Sequence, residues 1–314
     1  MKIALLCNNK MALPAVQMMA KEGVLAGIAT ADTDTEVVSM YGAVVQQLHL
    51  PHTRIARKGY KEQLREWLEG VGADVVFVMT FPYRIPADIL QLPRFGFLNF
   101  HYGQLPEMRG ADPIFESIRQ RLPTAGLTVH VMDEGFDTGP VVMREEMQLP
   151  AAYTYGMLCS QMGRLGEKMC GQLLNELKTG NMPAAIPQDA GKAAYWPKIA
   201  REAIHIDWGK MSQPEIIALV RACNPIARGV PVMLNGWQFG VCDACEIELQ
   251  GDASNIAGGT IVAMDMQNGL VVCCKDGKGV RLDVIITGEG IFPGYKLALW
   301  GINAGMIFGQ VQLS

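Results

Sequence analysis

A doubly wound α/β domain followed by a smaller β-barrel domain is the architecture this sequence predicts. Three features carry that reading. Short apolar runs at residues 2–7, 25–30 and 74–80 alternate with helical stretches, the pattern of buried parallel strands joined by crossover helices. A stretch marked by Pro and Gly, 181–202, breaks the chain. Beyond it, short strands are split by Asn235-Gly236, Asn268-Gly269 and Asp276-Gly277, which are hairpin turn pairs. The 314 residues therefore divide into 1–180, a linker at 181–202, and 203–314.

In order, residues 2–7 read as the first strand, an apolar run too short for a signal peptide or a membrane span. Asn8-Asn9-Lys10 turns the chain, 11–22 reads as a helix ending at Gly23, and 25–30 is the second strand. Asp32-Thr-Asp34-Thr-Glu36 reads as a solvated acidic loop. Residues 41–48 are helical, 52–56 extended, 61–69 a charged amphipathic helix and 74–80 a strand. Phe81-Pro82-Tyr83-Arg84-Ile85-Pro86 follows; its prolines stiffen it and its aromatics suit a flat ligand, though sequence alone favours a plain strand-to-helix connection. Residues 127–132 and 141–147 read as strands around a Gly-bracketed turn, and 155–179 as a long helix with Met and Cys on its core stripe, capped by Gly180. Residues 213–223 are the one helix of the second domain.

Composition excludes some classes. A net charge of -4 argues against a general polyanion binder. Eight cysteines without regular spacing read as reduced thiols in a cytoplasm. Cys242-x-x-Cys245 and Cys273-Cys274 do not make a zinc site, since neighbours on a strand face opposite ways; no metal is expected. No Gly-x-Gly-x-x-Gly follows the first strand, which weakens a dinucleotide reading.

The chemistry concentrates in Phe97-Leu-Asn99-Phe-His101-Tyr-Gly-Gln-Leu-Pro106-Glu-Met-Arg109-Gly110, closed by Asp133-Glu-Gly-Phe-Asp137-Thr-Gly139. Asn99 and His101 stand two apart at the end of an apolar run, so on a strand both point one way. Ligands of open α/β sheets sit at such carboxyl ends. Asp137, on the later turn, can reach the same spot. Amide, imidazole and carboxylate suit acyl transfer: one holds a developing oxyanion, one moves a proton, one fixes the second. Singly, each has a blander reading as a turn former, a buried histidine or a loop cap.

Asn99-Phe-His101-x-x-x-Leu105-Pro106-x-x-Arg109-Gly110-x-x-Pro113, then Gly126-Leu-Thr128-Val and Met132-Asp133-x-Gly135-x-Asp137-Thr138-Gly139, resemble the formyltransferase family that uses N10-formyltetrahydrofolate. Ile206-Asp207-Trp208, Arg221-Ala-x-Asn224-Pro225 and Gly259-Thr260-Ile261 extend the resemblance over nearly the whole chain, most closely to the methionyl-tRNA branch. The resemblance implies a Rossmann-like core, an OB-like second domain, and catalytic roles for Asn99, His101 and Asp137. It implies a pterin pocket built largely from backbone at Phe81, Pro82, Tyr83, Arg84, Ile85, Pro86, Asp133, Glu134 and Gly135. It implies formyl transfer to a primary amine, with protonated His101 beside Asn99 at the oxyanion and Asp137 holding the imidazolium. Two positions depart from the family: Gln104 stands near the usual Ser, and Pro82 replaces a Gly and removes a backbone donor.

The amine is expected to be a small molecule, a sugar nucleotide or a carrier-bound group, with tRNA as the alternative. Where the tRNA branch carries a basic loop, residues 30–41 have acids and no Lys or Arg. Residues 201–314 hold 8 Lys and Arg against 11 Asp and Glu, a poor tRNA footprint. A formyltetrahydrofolate hydrolase and a non-catalytic folate-binding protein are further alternatives. The first is lowered because the family's hydrolases usually carry an amino-terminal regulatory domain, whereas this chain starts at a core strand. The second is lowered by the intact Asn-His-Asp set.

Overall fold

The computed structural model describes residues 1–200, 204–251, 253, 255–265 and 269–309. Its contacts divide into two units. The first holds Met1–Pro113, Thr124–Gln148 and Cys159–Pro197; the second holds Ile114–Pro123, Leu149–Leu158 and the described residues from Lys198 on.

The first unit contains β1 (Ile3–Cys7), β2 (Leu25–Ala31), β3 (His52–Ile55), β4 (Val75–Met79), β5 (Phe97–His101), β6 (Arg109–Gly110), β7 (Thr124–Val131), β8 (Val141–Gln148) and β9 (Tyr195–Trp196). Seven of these form one sheet in the order β3-β2-β1-β4-β5-β7-β8. The five strands from β3 to β5 run parallel, as alternating strands and helices require. β7 and β8 are antiparallel additions, joined to each other by the short segment 132–140 and not by a crossover helix. Every residue of β1 and β4 is buried, which explains their unbroken apolar runs.

The helices of the chain's first two thirds are α1 (Leu13–Lys21), α2 (Thr35–Leu48), α3 (Tyr60–Val71), α4 (Ala87–Leu90), α5 (Pro113–Arg119) and α6 (Tyr155–Leu177). α3 shows how they dock. Leu64, Trp67 and Leu68, spaced three and four apart, meet Ala4, Leu6, Val76 and Val78 of the sheet. Full burial of such a side chain stabilises by roughly 1.5–3 kcal/mol, and Leu64→Ala would cost about 2–5 kcal/mol.

The acidic run is a solvated turn only as far as Asp34. Asp34 caps α2, its carboxylate accepting from Glu36 N at 2.9 Å and Val37 N at 3.2 Å, so the helix starts at Thr35. Asp32 pairs with Arg54 at 2.7 Å and Glu36 with Lys10 at 2.5 Å. The stretch expected as a linker is also ordered, through Pro197. Val141 and Ile186 exchange backbone hydrogen bonds of 2.8 Å, and β9 lies parallel to β6. Backbone groups left unpaired beyond β5 recruit it: Arg109 N donates to Ala194 O at 2.9 Å and Ala194 N to Pro106 O at 3.2 Å. Residues 201–203, the end of the expected linker and the start of the expected second domain, lie outside the described residues.

The second unit contains α7 (Gln213–Ala222), β10 (Val230–Leu234), β11 (Trp237–Ile247), β12 (Ile261–Asp265), β13 (Gly269–Cys273), β14 (Gly279–Ile286) and β15 (Ile291–Pro293). The antiparallel order is β10-β11-β14-β13-β12, with β15 on β14. Gly309 bridges to Met233 at one edge and Ile307 to Thr260 at the other, so the last described residues close the sheet into a barrel. Asn235 and Gly236, with φ of 50° and 80°, make the two-residue hairpin between β10 and β11. Asp276-Gly277 lies in the connection from β13 to β14, while Asn268 is outside the described residues. No described helix is long and apolar enough to cross a membrane.

Candidate active site

β5 delivers Asn99 and His101 to its carboxyl end. Asn99 lies beside Val78 of β4 on one side and opposite His130 of β7 on the other. Directly paired residues share a face of the sheet, so His130 enters the same space as Asn99. Asp137 arrives on the turn between β7 and β8, at a φ of 56° that only a tightly held non-glycine residue keeps. Gly139 ends that turn pressed against the sheet: a Cβ there would lie 1.8 Å from Val131 O.

These residues bond to one another. His101 Nδ1 is 3.4 Å from Asp137 Oδ1, with the side chains only 6% and 14% exposed. His101 Nε2 is 2.7 Å from Met108 O. Asn99 Nδ2 is 3.0 Å from His130 Nε2 and donates to Asp137 Oδ1 at 3.4 Å. His130 Nδ1 is 3.0 Å from Val131 O. Gly110 N donates to Asp137 Oδ2 at 3.1 Å.

Proton positions follow from this geometry. Both nitrogens facing carbonyl oxygens carry hydrogen: Nε2 of His101 and Nδ1 of His130. In the neutral rings His130 Nε2 then accepts from Asn99 and His101 Nδ1 presents a lone pair next to the Asp137 carboxylate; a proton gained by either ring sets a donor and a positive charge against that carboxylate. Burial pushes the His101 pKa down; Asp137 and the Met108 carbonyl pull it up, and His130 pushes it down again, leaving it below its ordinary value. Burial opposes the Asp137 charge, but bonds and charge from His130 and His101, with the Gly110 N–H, still hold its carboxyl below the usual value. The His101 imidazole stands where burial favours its neutral form. It is a base whose conjugate acid would find acceptors at both nitrogens. Asn99 has both amide hydrogens engaged, one of them in the long 3.4 Å bond to Asp137 that a better acceptor can displace.

The residues expected to form the pterin pocket lie in two segments of the same unit. Residues 81–86 leave β4 next to β5. Phe81 and Tyr83 meet edge to face at 5.3 Å, and Tyr83 packs on Tyr60 at 5.1 Å. A concavity of about 300 Å³ lies between Tyr60, Lys61, Arg84, Pro86 and Glu134, with Ile85 and Ala87 completing its lining. Arg84 Nη2 donates to Glu134 O, joining the two segments. Pro82 has no backbone N–H to offer a ligand. Asp133 shapes its own turn, accepting from Gly135 N at 3.0 Å and Thr138 Oγ1 at 2.6 Å. A Cβ on Gly135 would meet Thr138 Oγ1 at 2.0 Å, so a larger residue there collides with this turn before any ligand. Gln104 donates to Thr124 Oγ1 at 3.3 Å.

Sequence reasoning missed two residues at this site. His130 sat inside an apolar run; its signal was strand parity with Thr128, which pairs with His101. Gln188 lay in the expected linker, and no local pattern marks it. Among the described residues no group of three or more His, Cys, Asp and Glu stands together as metal ligands do. Burial and the adjacent Asp283 push the Cys245 thiol up to about 11, and Cys242 is also raised by burial, so both are held as thiols.

The formyl transferase family model matches residues 9–174. The methionyl-tRNA formyltransferase of Ruminiclostridium cellulolyticum is 30% identical over 318 aligned positions, covering 95% of this chain and 99% of its own. Among solved structures, the Helicobacter canadensis N-formyltransferase, in complex with folinic acid and dTDP-3-aminofucose, superposes with a TM-score of 0.66 at 16% identity, covering 89% of this chain and 98% of its own. HypX from Aquifex aeolicus, in complex with tetrahydrofolic acid, gives 0.60 at 14% identity over 95% of this chain and 47% of its own. At these identities the two structures speak for the fold.

Proposed function

This chain belongs to the formyl transferase family, and on that premise we propose that it moves a formyl group from N10-formyltetrahydrofolate to a primary amine. The observation that carries the reading is the bonding of Asn99 and of buried His101 to half-buried Asp137 in one cluster at the end of β5. The donor supplies an activated formyl group. The amine nitrogen bonds to the formyl carbon and His101 Nδ1 takes its proton, with Asp137 at 3.4 Å stabilising the imidazolium; the imidazolium then gives that proton to N10 as the N10–carbon bond breaks and tetrahydrofolate leaves. Asn99 releases its long bond to Asp137 and donates to the developing oxyanion, a contact worth about 3 kcal/mol in the barrier. His130 orients the Asn99 amide. Tyr60, which Tyr83 packs against, lines the concavity beside the Lys61 and Arg84 cations, a setting that suits a flat ring bearing an anionic tail.

The acceptor has two readings, each with its own support. The acidic 30–41 stretch, from which α2 starts on the Asp34 cap, favours a small or nucleotide-linked amine. The curated relatives, by their name and by coverage of both chains, favour methionyl-tRNA, and they lend nothing to the expectation against it. One assay separates these readings: tetrahydrofolate release from the purified protein and donor, with methionyl-initiator tRNA, with a dTDP-linked amino sugar, and with no amine. The expected result is release that depends on one amine. Release without any amine means hydrolysis, and no release in any arm refutes the transferase reading.

A further inference from the structure

We infer that Gln188 is a positioning residue for Asp137, a role that rests on the reading of Asp137 as part of the transfer site. Gln188 comes from the segment between β8's partner Ile186 and β9, far from β5 in sequence. Its amide is fully committed. Nε2 donates to Asp137 O at 2.9 Å and to Gly139 O at 2.7 Å, grasping both sides of the turn. Oε1 accepts from Arg109 Nε at 3.1 Å and Nη2 at 2.7 Å. Arg109 is itself only 8% exposed.

The contacts close a ring. Gly110, next to Arg109, donates to the Asp137 carboxylate at 3.1 Å. Arg109 holds Gln188, and Gln188 holds the Asp137 backbone. Asp137 is thus gripped at its carboxylate and at its carbonyl by neighbouring residues of one strand, directly and through one amide. β9 locks the arrangement: Tyr195 pairs with Arg109 and Trp196 with Gly110, and a Cβ on Gly110 would lie 2.1 Å from Trp196 O. Tyr195 also donates its hydroxyl to Phe136 O at 3.2 Å, and the Arg109 guanidinium lies over the Tyr195 ring at 5.6 Å. A left-handed backbone at a non-glycine residue costs of order 1–3 kcal/mol and persists only when its surroundings impose it. Gln188 supplies two of the bonds that do so.

The charged and titratable groups facing His101 are Asp137 on the turn and His130 on β7. Displacing Asp137 removes the charge that raises the His101 pKa. The test is an NMR titration of the His101 ring in the whole protein, beside steady-state turnover, in wild type, Gln188→Ala, Gln188→Glu and Asp137→Asn. Gln188→Glu keeps an acceptor for Arg109 but sets a carboxylate against two carbonyls. Both Gln188 variants should titrate His101 at lower pH than wild type, in the direction of Asp137→Asn. Their kcat should fall about tenfold or more, with the donor KM changed far less. If Gln188→Ala does not fold, Gln188→Met, of similar length without polar hydrogens, carries the same expectations. An unmoved His101 titration in a folded variant overturns the inference, even if turnover drops. A shifted titration in a protein whose wild type transfers no formyl group leaves the positioning role standing and refutes the transferase reading instead.

Discussion

The two halves of the proposed site are built to different standards. Around Asp137, every polar atom that matters has a partner: the carboxylate bonds to Asn99 and Gly110, and the backbone to Gln188. Residues 81–86 have few such ties; the Arg84 contact to Glu134 O and the Tyr60 hydroxyl bonded to Arg84 O at 2.9 Å are the main ones. Phe136, one residue before Asp137, is 62% exposed, with the Arg84 guanidinium 5.9 Å from its ring. Proton transfer demands a geometry held to fractions of an ångström, while binding of a flat ring tolerates adjustment. The difference teaches where substitutions should act on rate and where on affinity.

The largest expected effect lies in the rigid half. Asn99→Ala, His101→Ala and Asp137→Ala should each lower turnover at least about a hundredfold, or about 2.7 kcal/mol, with donor binding retained. Near-normal turnover in His101→Ala would remove the basis of the comparison. Next comes Gly139→Ala, whose methyl would meet Val131 O at 1.8 Å. Crowding of a packed site costs about 1–3 kcal/mol, read as a lower midpoint in thermal or urea unfolding, and turnover should fall with it.

The pH profile sharpens the comparison. His101 must be neutral to accept a proton, so activity rises with pH through its pKa. Burial holds that pKa below the ordinary value of about 6.5, so the acid limb of kcat/KM should lie below pH 6.5. Asp137→Asn removes the charge that raises the pKa, and the limb of its residual activity should move lower still. A limb above pH 6.5 in wild type would contradict a His101 pKa lowered by burial. The smallest effect belongs to the adaptable half: Arg84→Ala should raise the donor KM severalfold with kcat near wild type, measured in the same assay.

Much of this was legible in the chain. Parallel strands announced themselves as uncharged runs because β1 and β4 are buried on both faces. Asn99 and His101 were readable because strand alternation is local. The helix start at Thr35 was hidden because a capping aspartate and a solvated one look alike until the following N–H groups are seen. His130 was hidden because a histidine in a strand reads as core; only its pairing opposite Asn99 brings it to the site. Gln188 was least legible. Its partners lie 79 and 51 positions away, and Pro and Gly around it suggest a tether. Long-range pairing of irregular segments leaves no periodicity to detect.

β9 bears on how this protein can be recombined with its relatives. Sequence places the natural joint at residue 180, after the long helix. A chimera spliced there would inherit residues 186–196 from the incoming parent, and with them whatever stands in for Gln188, Tyr195 and Trp196. The Asp137 turn would then be set by a foreign segment, however faithfully the first 180 residues were kept. A crossover placed after Pro197 transfers the whole module, because the last residues that complete the proton-transfer half of the site travel with it.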